Sequence, residues 1–162
     1  MKIELKIPLE EPRIGIDISL HALAVCASRA SDRSAVVVLA NKLTSDSPDR
    51  YGKMQAFVDE LHRRFEYAPD PLKETIGPVP IEEIGDTAGS TIDADDACLF
   101  VAALAASVDI PCRLVGARFV RSWTCFVSYQ SEDGSWKRID PLRQQTDREP
   151  DELVMGGVIG SE

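Results

Sequence analysis

Apolar residues alternate with charged ones at Met1, Ile3, Leu5 and Ile7, the pattern of a half-buried strand closed by Pro8 and Pro12. Asp17 to Ala30 is rich in Leu, Ala and Ser and reads as a helix. A second helix follows, with Ser31-Asp32 as its expected cap and Ala35, Val36, Val38, Leu39 and Leu43 at helical spacing. Ser45-Asp46-Ser47-Pro48 is a break, and Pro48 suits the first turn of the next helix. Tyr51, Met54, Phe57, Val58, Leu61 and Phe65 then keep a 3.6-residue period, which predicts an amphipathic helix to about Tyr67.

Ala68-Pro69-Asp70-Pro71 ends that helix. Pro71 to Thr91, punctuated by Gly77, Pro78, Pro80, Gly85 and Gly89, reads as a long irregular connection. Asp93 to Val108 is a second clear helix. It is apolar nearly all round from Ala97, so it belongs in the middle of the fold. Asp93, Asp95 and Asp96 suit its first turn, where carboxylates meet the positive end of the helix dipole. After Pro111 the pattern turns to strands at Cys112 to Val120, Ser122 to Gln130 and Trp136 to Ile139. Glu132-Asp133-Gly134 makes a hairpin of the last two. Arg143 to Pro150 is polar, and the tail from Leu153 holds three glycines. The expected fold class is α+β: helices, then a buried central helix packed on an antiparallel sheet. Residues 1–150 form one domain in this reading and 151–162 a C-terminal arm.

Composition narrows the function. The chain has 162 residues, enough for one sizeable core, and 44% are hydrophobic. A formal net charge of −9 opposes binding to phosphate backbones and to anionic membrane surfaces. The longest apolar run, Ala97 to Ala106, is about half of a bilayer crossing. Cys26, Cys98, Cys112 and Cys125 lack C-x-x-C spacing, and His21 and His62 are the only histidines, so the chain shows no zinc-site pattern. Four reduced thiols and synthesis in the cytoplasm are expected. No metal or cofactor is expected.

The chemistry-bearing candidates lie between Arg64 and Pro141. Phe65-Glu66-Tyr67-Ala68-Pro69-Asp70-Pro71 closes the amphipathic helix. Asp93-Ala94-Asp95-Asp96-Ala97-Cys98-Leu99 opens the buried helix, which leads to Ile110-Pro111-Cys112-Arg113-Leu114-Val115. Trp136-Lys137-Arg138-Ile139-Asp140-Pro141 closes the strand pair. Together these resemble the transglutaminase-like superfamily, whose core resembles papain-like cysteine proteases, and most nearly its short phage-encoded members.

The resemblance implies a nucleophilic cysteine at the start of the buried helix. It also implies a histidine opening the middle strand and an aspartate ending the next one. A thiol at a helix N-terminus is stabilised as thiolate, an imidazole takes its proton, and a carboxylate fixes the imidazole tautomer. This chain departs from that pattern. Ala94 stands at the nucleophile position, and Ile92 replaces the glycine before it. Alternation places Cys125, Val127 and Tyr129 on the core face, leaving Thr124 at the histidine position; a one-residue slip would put Cys125 there. Of the triad only Asp140 survives. Alanine has no nucleophilic atom, and threonine is no general base near neutral pH.

Other candidates are bland. Cys98 lies one turn beyond Ala94 in an apolar run, where burial raises a thiol's pKa and makes it inert. Cys125 could approach Cys98, but spacing does not fix the distance. His62 reads as a solvated helix residue. Three carboxylates within one helical turn, at 93, 95 and 96, do not converge as a cation cage does. Gly156-Gly157-Val158-Ile159-Gly160 lacks the lysine and frame of a phosphate loop, and Trp123 and Trp136 read as packing residues.

The leading expectation is thus a catalytically inactive transglutaminase-like domain. It would act as a structural or protein-binding module, as in a phage virion's head–tail or tail, with protein partners from the same particle. One alternative is a cysteine peptidase or acyltransferase of that superfamily captured as a Cys-to-Ala variant at position 94. Another is a vacated cleft that binds a small molecule or peptide without transforming it.

Overall fold

The computed structural model describes residues 12–68, 90–120, 122–143 and 149–160. The expected strand at Met1 to Ile7, residues 71–89 of the expected long connection, and most of the polar stretch after Arg143 lie outside these residues.

Helix α1 (Pro12–Ser31) begins at Pro12, which therefore starts a helix where the sequence pattern had it closing a strand. A first helical residue needs no free N–H, and the proline ring presets its φ. Leu20, Leu23, Ala27 and Ala30 form the buried stripe of α1. Helix α2 (Ser34–Thr44) buries Val36, Ala40 and Thr44. Its N-cap is Arg33, which makes no side-chain capping bond, so the expected Ser31-Asp32 cap is not used. The Ser31 hydroxyl instead donates back to the Ser28 carbonyl at 2.7 Å, serving the end of α1.

Helix α3 (Arg50–Arg64) starts two residues after Pro48, which stays outside it. Asp49 is the N-cap, and its carboxylate accepts from the Gly52 N–H at 2.7 Å. Met54, Phe57, Val58 and Leu61 point inward. The helix ends at Arg64, short of Tyr67, because Phe65–Tyr67 leaves as strand β1. Strand β1 pairs in parallel with β2 (Ser90–Ile92), in the register Phe65↔Ser90 and Tyr67↔Ile92. Phe65 still lies on the helix's apolar stripe and meets Phe100 edge-on, with ring centroids 5.6 Å apart. Ser90 and Thr91, expected as connection, are strand.

Strand β2 delivers the chain to helix α4 (Ala94–Ala106), in which every residue from Ala97 to Ala106 is buried. The helix closes two residues before the expected Val108. Asp109 adopts φ 56°, and the Ile110 N–H reaches back to the Ala105 carbonyl at 3.0 Å, a left-handed cap.

The four-stranded sheet is antiparallel throughout, in the order β5-β4-β3-β6. Strands β3 (Cys112–Phe119), β4 (Ser122–Gln130) and β5 (Trp136–Ile139) match expectation within a residue. Cys112 and Leu114 of β3, Cys125, Val127 and Tyr129 of β4 and Ile139 of β5 join the main core beneath α4. The opposite face carries a smaller cluster of Val115, Ala117 and Phe126, with Phe119 beside it.

Where an arm was expected over 151–162, Glu152–Met155 runs as β6 along β3, and Val154 is buried. The chain stays tied beyond it. The Gly156 N–H donates to Leu114 at 2.8 Å, and Ile159 and Cys112 exchange two backbone bonds. Gly156 has a packing reason to be glycine, since an added Cβ would lie 3.0 Å from the Leu114 carbonyl oxygen. Among the described residues, no helix is long and apolar enough to cross a membrane.

Candidate functional site

Ala94 is the first residue of α4. Asp93 precedes it as N-cap, with a carboxylate oxygen accepting from the Asp96 N–H at 2.9 Å. This geometry leaves the helix N-terminus capped, with a methyl group where the resemblance placed a nucleophile. Ile92, in place of glycine, is the buried last residue of β2, paired with Tyr67.

Thr124 and Asp140 come together. Both line a cleft of about 180 Å³, with Phe119, Ser122, Cys125, Phe126 and Arg138. Register explains the meeting. Val127 pairs with Ile139, so the next step of the ladder sets Asp140 across from Phe126, diagonal to Thr124. In the observed register Ala117 pairs with Thr124 and Gly116 with Cys125; Cys125 turns to the core on the α4 side, and Thr124 lies on the opposite face with Phe126.

Asp140 is held in place by its own turn. Its Oδ1 accepts from the Leu142 N–H at 3.0 Å, and its carbonyl accepts from the Arg143 N–H at 3.1 Å. This carboxylate has no imidazole to orient: the cleft wall holds no histidine. His62, read as a solvated helix residue, is exposed but not idle. Its Nε2 lies 2.8 Å from the Pro141 carbonyl oxygen, so it donates to the residue next to Asp140 rather than to the cleft.

Ala94 does not line the cleft. Cys98 lies one helical turn (about 6 Å) further along the same face of α4. It is wholly buried, in the same core cluster as Cys125. Burial pushes the Cys98 thiol well up from its ordinary value, and Cys125, Asp95 and Asp140 push it the same way. Cys98 is thus a protonated thiol at neutral pH, not a displaced nucleophile. Cys112 is likewise pushed up by burial, to about 12.

Two polar cleft residues escaped the sequence reading. Arg138 stacks its guanidinium over Phe126, 4.3 Å from the ring centroid, and Ser122 opens β4 at the rim. Alternation along β5 was the available signal for Arg138, since it shares the outward face with Trp136, which Arg113 covers at 4.2 Å. Asp93, Asp95 and Asp96 behave as helix-start residues, and no three His, Cys, Asp or Glu side chains converge on a metal position among the described residues. The arrangement can bind in a cleft of mixed polarity, but its residues supply no thiolate–imidazole pair for acyl transfer.

The chain matches no family model and no curated protein. Among solved structures it is similar to a protein described as a "putative protease" from Parabacteroides distasonis. The identity is 16% and the TM-score 0.60, covering 89% of this chain and 31% of that one. It is also similar to the periplasmic domain of TgpA from Pseudomonas aeruginosa, at 16% identity and TM-score 0.52, covering 74% of this chain and 49% of that one. A TGase structure overlaps at a TM-score of 0.39. The chain spans about a third to a half of the proteins it resembles. The fold is α+β of the transglutaminase-like kind, as the element order and the first superposition show.

Proposed function

We propose that this is a transglutaminase-like domain that has lost acyl-transfer chemistry and works by binding a protein partner, as a structural component of a phage particle. The observation that supports it is the pairing of a retained frame with an empty reactive centre. Helix α4 keeps its capped N-terminus and Asp140 follows the end of β5, yet α4 opens with Ala94, and neither Thr124 nor Cys125 on the neighbouring strand is a histidine. Losing the nucleophile and the base while keeping the scaffold is the expected state of a fold retained for its surface. The phage assignment rests on the resemblance of the motifs alone.

A variant of an active enzyme with cysteine replaced at 94 accounts for Ala94 but leaves Thr124 unexplained, because the general base would still be missing. The encoding gene's codon 94 separates the two readings. A ligand-binding reading draws on the cleft itself, where Ser122, Thr124, Arg138 and Asp140 offer donors and acceptors around Phe119 and Phe126.

The test is purification from the native source and identification of what accompanies the chain. Co-sedimentation in fixed stoichiometry with a viral particle supports the proposal. A free monomer that cleaves peptides or joins amines to glutamine overturns it.

A further inference from the structure

Two arginines stand on the sheet face that turns away from α4. Arg113 of β3 pairs with Ser128 of β4, and Ser128 pairs with Arg138 of β5, so the three form one row across the strands. Each guanidinium lies over an aromatic ring: Arg113 is 4.2 Å from the centroid of Trp136, and Arg138 is 4.3 Å from that of Phe126. A ring holds a guanidinium without using its N–H groups. Arg63, Arg64, Arg118 and Arg143 each pair with a carboxylate, but among the described residues Arg113 and Arg138 form no ion pair. The Arg113 Nε–H is also buried without an acceptor. Acids are not scarce in this chain, which has 27 Asp and Glu against 18 Lys and Arg. Two positive charges are thus held in place and left uncompensated.

Arg138 lines the cleft together with Thr124, Phe119 and Phe126. The Thr124 hydroxyl has no hydrogen-bond partner among the described residues, so the cleft holds two unused donor groups beside two aromatic rings. We propose that the cleft binds a small molecule carrying one carboxylate on an apolar body. Arg138 and Thr124 donate to the carboxylate, Phe119 and Phe126 form the apolar wall, and Arg113 adds a positive charge from the neighbouring row. A free acid and the C-terminus of a peptide are two sources of this one chemistry.

Charge and size set the ligand class. The planar guanidinium fork matches a carboxylate with two parallel hydrogen bonds. Asp140 also lines the cleft, and its Oδ1 is engaged by the Leu142 N–H at 3.0 Å. That carboxylate and the net charge of −9 oppose a second negative charge, so a monoanion is favoured over a dianion such as phosphate. The cleft volume of about 180 Å³ is below the roughly 300–1,000 Å³ of sites for drug-sized ligands, which limits the occupant to a small body. The inference rests on the ligand-binding reading of this cleft and is independent of the protein-partner reading.

The experiment is an NMR titration of the isotope-labelled full-length chain with benzoate, its neutral isostere benzamide, inorganic phosphate, and N-acetylphenylalanine as a peptide C-terminus. Benzoate should move the backbone signals of Thr124, Phe126 and Arg138 saturably and bind about ten-fold more tightly than benzamide. Arg138→Gln, at an exposed position, should weaken benzoate by about ten-fold and leave benzamide unchanged, with the rest of its spectrum showing that it folds. Thr124→Val should weaken benzoate several-fold. N-Acetylphenylalanine binding more tightly than benzoate assigns the carboxylate to a peptide end, and weaker binding assigns it to a free acid. Benzamide binding as tightly as benzoate at these residues overturns the carboxylate assignment while keeping the cleft as a ligand site. Phosphate binding more tightly than benzoate, shifts scattered over other arginines, or wild-type affinity in Arg138→Gln also overturns the proposal. A spectrum unchanged by every probe overturns both the proposal and the ligand-binding reading.

Discussion

His62 on α3 holds the turn that carries Asp140: its Nε2 donates to the Pro141 carbonyl at 2.8 Å. A second tie runs alongside, where Arg143 pairs with Asp59, one turn earlier on the same helix. The end of β5 is thereby moored to α3, while β5 itself is moored to β4. His62→Ala removes a side chain to backbone bond at a partly buried carbonyl. The expected loss is about 1 kcal/mol of unfolding free energy, read from the urea midpoint at unchanged slope. A midpoint equal to wild type would show that the tie carries no weight.

The helix caps give a sharper contrast. Asp93→Ala and Asp49→Ala each remove a carboxylate that accepts from a backbone N–H three residues on. Each should cost about 1 kcal/mol. Asn at either position should recover most of the loss, which would assign it to the hydrogen bond rather than to charge. Both substitutions are read by chemical denaturation.

Stability should fall in acid through Glu60. Its side chain is buried and bonded to Arg63 at 2.7 Å, with Arg64 as a second partner. The hydrogen bond to Arg63 holds its carboxyl below the ordinary value of 4.5; burial opposes the shift and is outweighed. A carboxyl whose pKa is depressed by folding contributes stability above its unfolded value, lost as pH falls from there through the folded value. Unfolding free energy should therefore decline below about pH 4.5. Glu60→Gln should flatten that part of the profile, and an unchanged acid limb in the variant would contradict the assignment.

Cys98→Ala should leave a small cavity between α4 and β4. A loss of about 1–2 kcal/mol is expected, at the low end for core truncations because only one sulfur is removed. Partner binding should be unchanged. A variant that keeps its melting temperature but loses its partner would move Cys98 out of the core and into function.

Much of this architecture is legible in the residues. The all-round apolar run from Ala97 to Ala106 could only be a central helix, and the alternation of Cys125, Val127 and Tyr129 correctly set the face of β4. What stayed hidden is non-local. Strand β1 continues the apolar period of α3 through Phe65, and its three residues become a strand only through β2, more than twenty residues away in sequence. Strand β6 looks like a glycine-bearing tail until β3 offers it a free edge. At the site, the inward turn of Cys125 was legible because side chains alternate along a strand. The cleft's Arg138 and the tie from His62 were not, since both depend on how elements meet.

The most direct measurement is turnover by the unaltered chain: hydrolysis of peptide substrates and transfer of an amine to glutamine, followed by mass spectrometry over long incubations. With Ala94 and Thr124 in place of thiol and imidazole, product should not exceed the protein-free background. Product accumulating in proportion to protein concentration, and persisting through independent purifications, would contradict the account.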